Sequence, residues 1–186
     1  MRLGIASLVT AYVLSQFYRA FLAVLAPTLK AELGASAEDL ALASGLWFLT
    51  FAAMQLPVGW ALDRIGPRRT SAALLALGGG GGALVFATAQ GPLAITLAMG
   101  LIGIGCAPVL MSSYYIFARL YRPAVFATLA TATIGIGSLG NIAGSLPLAR
   151  AIEAFGWRGT LGIERGLDTR TSIAAHAHSL LIENVR

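Results

Sequence analysis

Tyr12, Ser15, Gln16 and Arg19 interrupt an otherwise apolar stretch near the start of the chain. Their i, i+3, i+4, i+7 spacing places all four on one face of an α-helix. An ionisable group in such a stretch costs roughly 2.5–3.5 kcal/mol on insertion scales, so Arg19 is a functional candidate by default. Four polar groups on one stripe would be wasted against lipid. They make sense against a water-filled cavity, with Tyr12, Gln16 and Arg19 as substrate-binding residues and Arg19 paired to an anionic substrate group. The competing reading is structural, with Arg19 paired inside the protein or snorkelling to the interface.

Covalent chemistry finds no footing. His176 and His178 lie in a polar tail without carboxylate or cysteine partners at metal spacing, so no metal site is expected. No nucleophile and base can be paired, and the chain reads as a non-enzyme that needs no cofactor. Cys106 is the sole cysteine and sits in an apolar run, as a small core residue would, so no disulfide framework exists within one chain. The glycine run Gly78 to Gly82 follows no strand and precedes no Lys-Ser or Lys-Thr, which excludes a phosphate loop. It reads as close packing or a bendable helix.

The elements that carry these residues follow from composition. Of 186 residues, 57% are hydrophobic and 11% charged, and the mean hydropathy is +0.77. A soluble domain carries roughly 25% charged residues, so lipid is the fitting solvent. Five segments meet the length of roughly 20 mostly apolar residues that a spanning helix needs: 3–27, 40–62, 71–90, 93–118 and 124–149. The fold class expected is all-α, a polytopic bundle of about five transmembrane helices over residues 1–159. Ser36 and Asp39 stand where a helix start wants a capping acceptor and an acid near the dipole.

The formal net charge of +5 is distributed in clusters between the apolar runs, not as a nucleic-acid-binding face. Arg2, Arg64, Arg68, Arg69, Arg119 and Arg122 fall at one end of the alternating spans. Lys30, Arg150 and Arg158 fall at the other, with Glu32, Glu38, Asp39 and Glu153. The positive-inside rule then predicts a cytoplasmic N-terminus in a cell inner (plasma) membrane. Gly140 and Gly144 form a GxxxG pair with Gly137 on a neighbouring face, and Gly100, Gly103 and Gly105 repeat the pattern earlier; such spacing lets helix backbones pack closely. Ser138, Asn141 and Ser145 are expected to hydrogen-bond between helices, at about 0.6 kcal/mol each, with contact to substrate as the alternative. Tyr114 and Tyr115 suit either an interfacial belt or the cavity.

The turn after the second segment reads Gly59-Trp60-Ala61-Leu62-Asp63-Arg64-Ile65-Gly66-Pro67-Arg68-Arg69, preceded by Gln55-Leu56-Pro57-Val58. Asp63 ends a helix, where the dipole disfavours an anion, so it gains by meeting a cation or another helix's N-terminus. The arginines by themselves can equally be a positive-inside anchor. This stretch resembles the signature of the major facilitator superfamily. Phe17-Tyr18-Arg19 through Pro27, Gly137-Ser138-Leu139-Gly140-Asn141 and Phe155-Gly156-Trp157-Arg158 are also similar to that family, so the resemblance covers about residues 3–160. It implies a secondary transporter working by alternating access on a small solute, with a proton or another coupling ion. It also implies a cytoplasmic gating motif of Gly59, Asp63, Arg64, Gly66, Arg68 and Arg69. Met99 stands near where many members carry an arginine, and Gly140-Asn141 replaces the Gly-Pro of drug antiporters.

A sixth segment would be expected soon after Arg158, but residues 160–186 stay polar. The tail is expected to be disordered or weakly helical and foreign to the family, as in a truncated or frame-shifted permease. The alternative function is a membrane module that does not transport and acts only with a partner subunit.

Overall fold

The computed structural model describes residues 2–160, with side chains from residue 5 onward. The tail and its two histidines lie outside the described residues. The elements run α1 (Arg2–Leu33), α2 (Ala37–Ala53), α3 (Gln55–Arg64), α4 (Pro67–Leu74), a π-helical segment (Leu75–Gly80), α5 (Gly81–Ala87), α6 (Pro92–Leu120) and α7 (Pro123–Ala143). Helical backbone resumes over 146–160. Among the described residues five stretches are long and apolar enough to cross a membrane: Ile5–Leu33, Ala37–Arg64, Pro67–Ala87, Pro92–Leu120 and Pro123–Ala143. The protein is an all-α, multi-pass membrane bundle.

Local chemistry explains the helix ends. Gly34, at φ 65°, turns the chain out of α1, and the Ala35 amide reaches back to the Leu29 carbonyl at 3.3 Å. Ser36 then starts α2 with a reciprocal capping box. The Asp39 amide donates to Ser36 Oγ at 3.1 Å, and the Ser36 amide donates to Asp39 Oδ2 at 2.9 Å.

Prolines set the interruptions. Pro27 and Pro108 sit inside α1 and α6, which run on through them. Pro57 cannot donate to the carbonyl four residues back, and the second span breaks one residue beyond that carbonyl, at Met54, between α2 and α3. Pro147 has the same effect later. The expected single helix over 124–149 ends instead at Ala143, and Gly144 and Ser145 form a turn before the helix resumes.

The bundle is organised around α6, which contacts every other span. Its glycines serve two sides. On one, a Cβ at Gly103 would collide with Trp47 and Thr50 of α2, and one at Gly100 would come within 3.0 Å of Leu46. Thr50 Oγ1 lies 2.9 Å from the Gly100 carbonyl, a hydrogen bond available between the helices at this close approach. On the other side, a Cβ at Gly105 would run into the Gly79 backbone, and one at Gly78 would lie 2.5 Å from the Gly105 nitrogen. The glycine run of the third span is therefore a packing surface, and its π-helical turn sits where it meets α6. Around these seams lie Tyr18, Phe21, Leu25, Trp47, Phe86, Ile95, Ile102 and Cys106, all buried.

Replacing Gly105 by Ala should lower stability by about 1–3 kcal/mol, the usual cost of overpacking, read as an earlier thermal unfolding in detergent. Gly135 has nothing within 4 Å of its would-be Cβ, so Gly135→Ala should be neutral or stabilising by up to about 1 kcal/mol. Equal shifts for the two variants would contradict the backbone-contact account of α6.

Candidate functional site

The polar stripe on α1 divides between two neighbours. Tyr12 and Gln16 are buried, together with Ser15. They lie along the α1–α7 seam, where the glycines of α7 make room. A Cβ at Gly137 would strike the Tyr12 ring, one at Gly140 would strike the Val13 carbonyl and Gln16, and one at Gly144 would come within 3.2 Å of Ala20. Gln16 Oε1 is buried there without a hydrogen-bond partner. A buried carbonyl left unpaired costs about 1–3 kcal/mol, so the seam retains an acceptor that the rest of the described chain does not satisfy.

Arg19 leaves that seam and turns toward α2. Its guanidinium carbon lies 5.2 Å from the Trp47 ring centroid, 5.8 Å from Phe51 and 5.9 Å from Phe48. The side chain is exposed, and among the described residues it makes no ion pair or hydrogen bond. Ring faces attract the cation through their quadrupole without using its N–H donors. The charge is thus held in place while its donors stay open. Trp47 and Phe51 stack with centroids 5.2 Å apart and planes 9° apart, which stiffens this shelf. Sequence reasoning missed the three rings. Their signal was the spacing of aromatics at 47, 48 and 51 in one span, which marks a shelf only once a cation in another span is known to face it.

At the opposite end of α1's neighbours, the turn between α3 and α4 depends on Gly66, whose φ of 97° is rarely adopted by residues with a side chain. Pro67 follows as the first residue of α4, a position that tolerates its missing amide. Asp63 is exposed at the last turn of α3 and pairs with none of Arg64, Arg68 and Arg69 among the described residues. Gly59, one turn earlier, has nothing within 4 Å of its would-be Cβ. Arg68 is half-buried, while Arg64 and Arg69 are exposed. Nearby, Arg119 sits 4.3 Å over the Tyr115 ring, and Tyr114 meets Phe126 edge to face at 6.0 Å.

Two expectations about the fifth span change. Ser138 Oγ bonds the Ile134 carbonyl of its own helix at 3.2 Å, and Ser145 Oγ, in the turn after α7, bonds the Ile142 carbonyl three residues back at 2.6 Å, so neither bonds a neighbouring span. A hydroxyl can reach the carbonyl three or four residues back within one helix turn, and that partner is always present. Asn141 is exposed.

The residues after the fifth span tie the other end together. Gly156, at φ 72°, redirects the chain. Trp157 Nε1 then donates to Glu32 Oε2 at 2.7 Å, and the indole packs edge to face on Phe86. Arg158 donates to the Ala87 and Ala89 carbonyls at 2.6 and 2.7 Å, a cation at the C-terminal end of α5. Lys30, Glu32 and Arg158 therefore share one end of the bundle, as their alternation along the sequence requires.

With this geometry in place, comparison with known proteins is informative. A family profile described as Major Facilitator Superfamily matches residues 8–164. A protein named as a gallate transporter from Pseudomonas putida is 32% identical over 125 residues, covering 64% of this chain and 27% of that relative. The chain thus spans roughly a quarter of the relative's length.

Gly66→Ala should destabilise the turn by about 1–3 kcal/mol, the cost of holding a residue with a Cβ in a backbone region open essentially to glycine alone. Thermal unfolding in detergent measures it, and a variant as stable as the parent would show that the turn relaxes at no cost.

Proposed function

The chain belongs to the Major Facilitator Superfamily, and we propose that it forms one wall of a path by which a small anionic solute crosses the membrane by alternating access. The observation that carries this reading is Arg19, a fixed cation with open donors and no counter-ion among the described residues. A membrane protein that keeps a charge beside apolar spans without neutralising it spends free energy on it, and binding an anion is the use that recovers that cost. Tyr12 and Gln16 lie on the same stripe but are buried against α7, and the unpaired Gln16 Oε1 is an acceptor that suits a solute hydroxyl, not its anionic group.

The relative's name adds a chemical class. Gallate is a carboxylate on a hydroxylated aromatic ring, and a guanidinium beside aromatic side chains suits such an anion. Aromatic carboxylates are accordingly the solutes to test first for this chain.

The arginine-rich turn is assigned to the cytoplasmic side of an inner (plasma) membrane, with a cytoplasmic N-terminus, on the charge asymmetry of the two ends. Asp63 and Gly59 share a face of α3, spaced four residues apart. Among the described residues no atom lies near the would-be Gly59 Cβ and Asp63 has no partner, which supports a surface that receives another helix, closing and releasing as a cytoplasmic latch. No residue is assigned to a proton or other coupling ion.

A second reading keeps the same architecture but needs a partner for function. Leu42, Leu49 and Leu56 on the second span and Leu139, Ile142 and Leu146 on and after α7 are all exposed; lipid or another subunit can cover these faces, and the second case is a non-transporting module that acts only with that partner. Uptake into vesicles by the purified chain separates the two readings.

In an uptake-competent assembly, Arg19→Ala should lower anion transport by about 10- to 100-fold, matching the roughly 1.5–3 kcal/mol of a hydrogen bond to a charged group, while neutral solutes change little. Equal losses for both would make Arg19 purely structural. Asp63→Asn should abolish transport while membrane insertion stays normal, and undiminished uptake by that variant would remove the latch.

A further inference from the structure

The three rings around Arg19 are not equivalent. Trp47 is 1% exposed and Phe51 half-buried, and their faces are used against each other. Phe48 is 51% exposed, stands nearly perpendicular to Trp47 at 83°, and keeps open ring surface beside the guanidinium. The other large exposed side chains on α2 are Leu42 and Leu49, both aliphatic. An aromatic ring is thus found where α2 borders the unpaired cation and leucine where it does not.

We infer that Phe48 is a specificity-determining residue of the Arg19 site, favouring carboxylates carried on a planar aromatic ring over saturated carboxylates of the same charge and size. The inference rests on the reading of Arg19 as the anion anchor. Two parallel N–H···O bonds hold a carboxylate in the guanidinium plane. In an aromatic acid the ring is conjugated with that carboxylate, so anchoring the one orients the other. With the Phe48 centroid 5.9 Å from the guanidinium carbon, a ring attached to the bound carboxylate can come within the roughly 4.5–7 Å over which aromatic pairs attract. A saturated ring of equal size has neither the planarity nor the quadrupole, and gains only dispersion.

Benzoate and cyclohexanecarboxylate form a matched pair for the test. Their affinities are measured on the full chain reconstituted in lipid nanodiscs. The parent should prefer benzoate by about 2- to 10-fold, the size of one aromatic pair. Phe48→Leu should bring the ratio close to one, and Phe48→Tyr should retain it. Phe48→Met serves in place of Leu if that variant does not fold. A preference that survives the loss of the ring, or equal affinities in the parent, overturns the role of Phe48 while leaving the Arg19 anchor intact. Failure of the parent to bind either acid overturns the anchor and the inference together.

Discussion

Helices in lipid gain little by hiding apolar side chains from one another, because hydrocarbon tails are as apolar as leucine. What holds them is contact between atoms, supplemented by hydrogen bonds between helices. Here that contact is made at backbone distance along α6. Gly100 and Gly103 admit α2, and Gly105 admits the glycine run of the third span, so one helix is gripped from two sides. Other features inherit their position from this arrangement. The aromatic shelf of Trp47 and Phe51 stands where it does because the Trp47 backbone is pressed onto Gly103. The π-helical turn lies beside α6 with Gly78, Gly79 and Gly80 all buried.

The second seam, between α1 and α7, divides polar residues that share one stripe. Glycines at 137, 140 and 144 bring the α7 backbone against Tyr12, Gln16 and Ala20 and bury the lower part of the stripe. Arg19 lies beyond that contact and finds aromatic faces in place of a carboxylate. Pairing with a buried Asp or Glu would have neutralised the charge and consumed its donors, whereas the rings fix its position and leave those donors open. The far end is treated in the opposite way. Trp157 donates to Glu32 and Arg158 donates to two backbone carbonyls, so that end is tied by specific bonds.

Much of this was legible from particular residues. Uninterrupted apolar length marked the five spans, and Ser36 with Asp39 announced the start of α2 as the capping box later seen. Gly140 and Gly144 were readable as a GxxxG pair with Gly137 on a neighbouring face, and a Cβ at any of the three would meet α1. Gly66 was readable as part of a family motif, and its positive φ supplies the physical reason for a glycine there. The breaks at Met54 and Gly144 were harder, because two of the four intrahelical prolines, Pro27 and Pro108, do not stop their helices. A proline removes one hydrogen bond wherever it occurs, and the surrounding packing decides whether the helix bends or breaks.

The sequence by itself determined the solvent, the number and order of the described spans, the ends at which charges collect, and the family. These follow from composition, length and short motifs, which are local properties of the chain. Only the tertiary structure decided which faces meet. It placed α7 and not α2 on Tyr12 and Gln16, turned Arg19 toward three rings from another helix, and joined Trp157 to a carboxylate 125 positions away. Helical periodicity tells which residues share a face but not what that face touches. The answer depends on how several helices satisfy close contact at once, and no single segment contains that information.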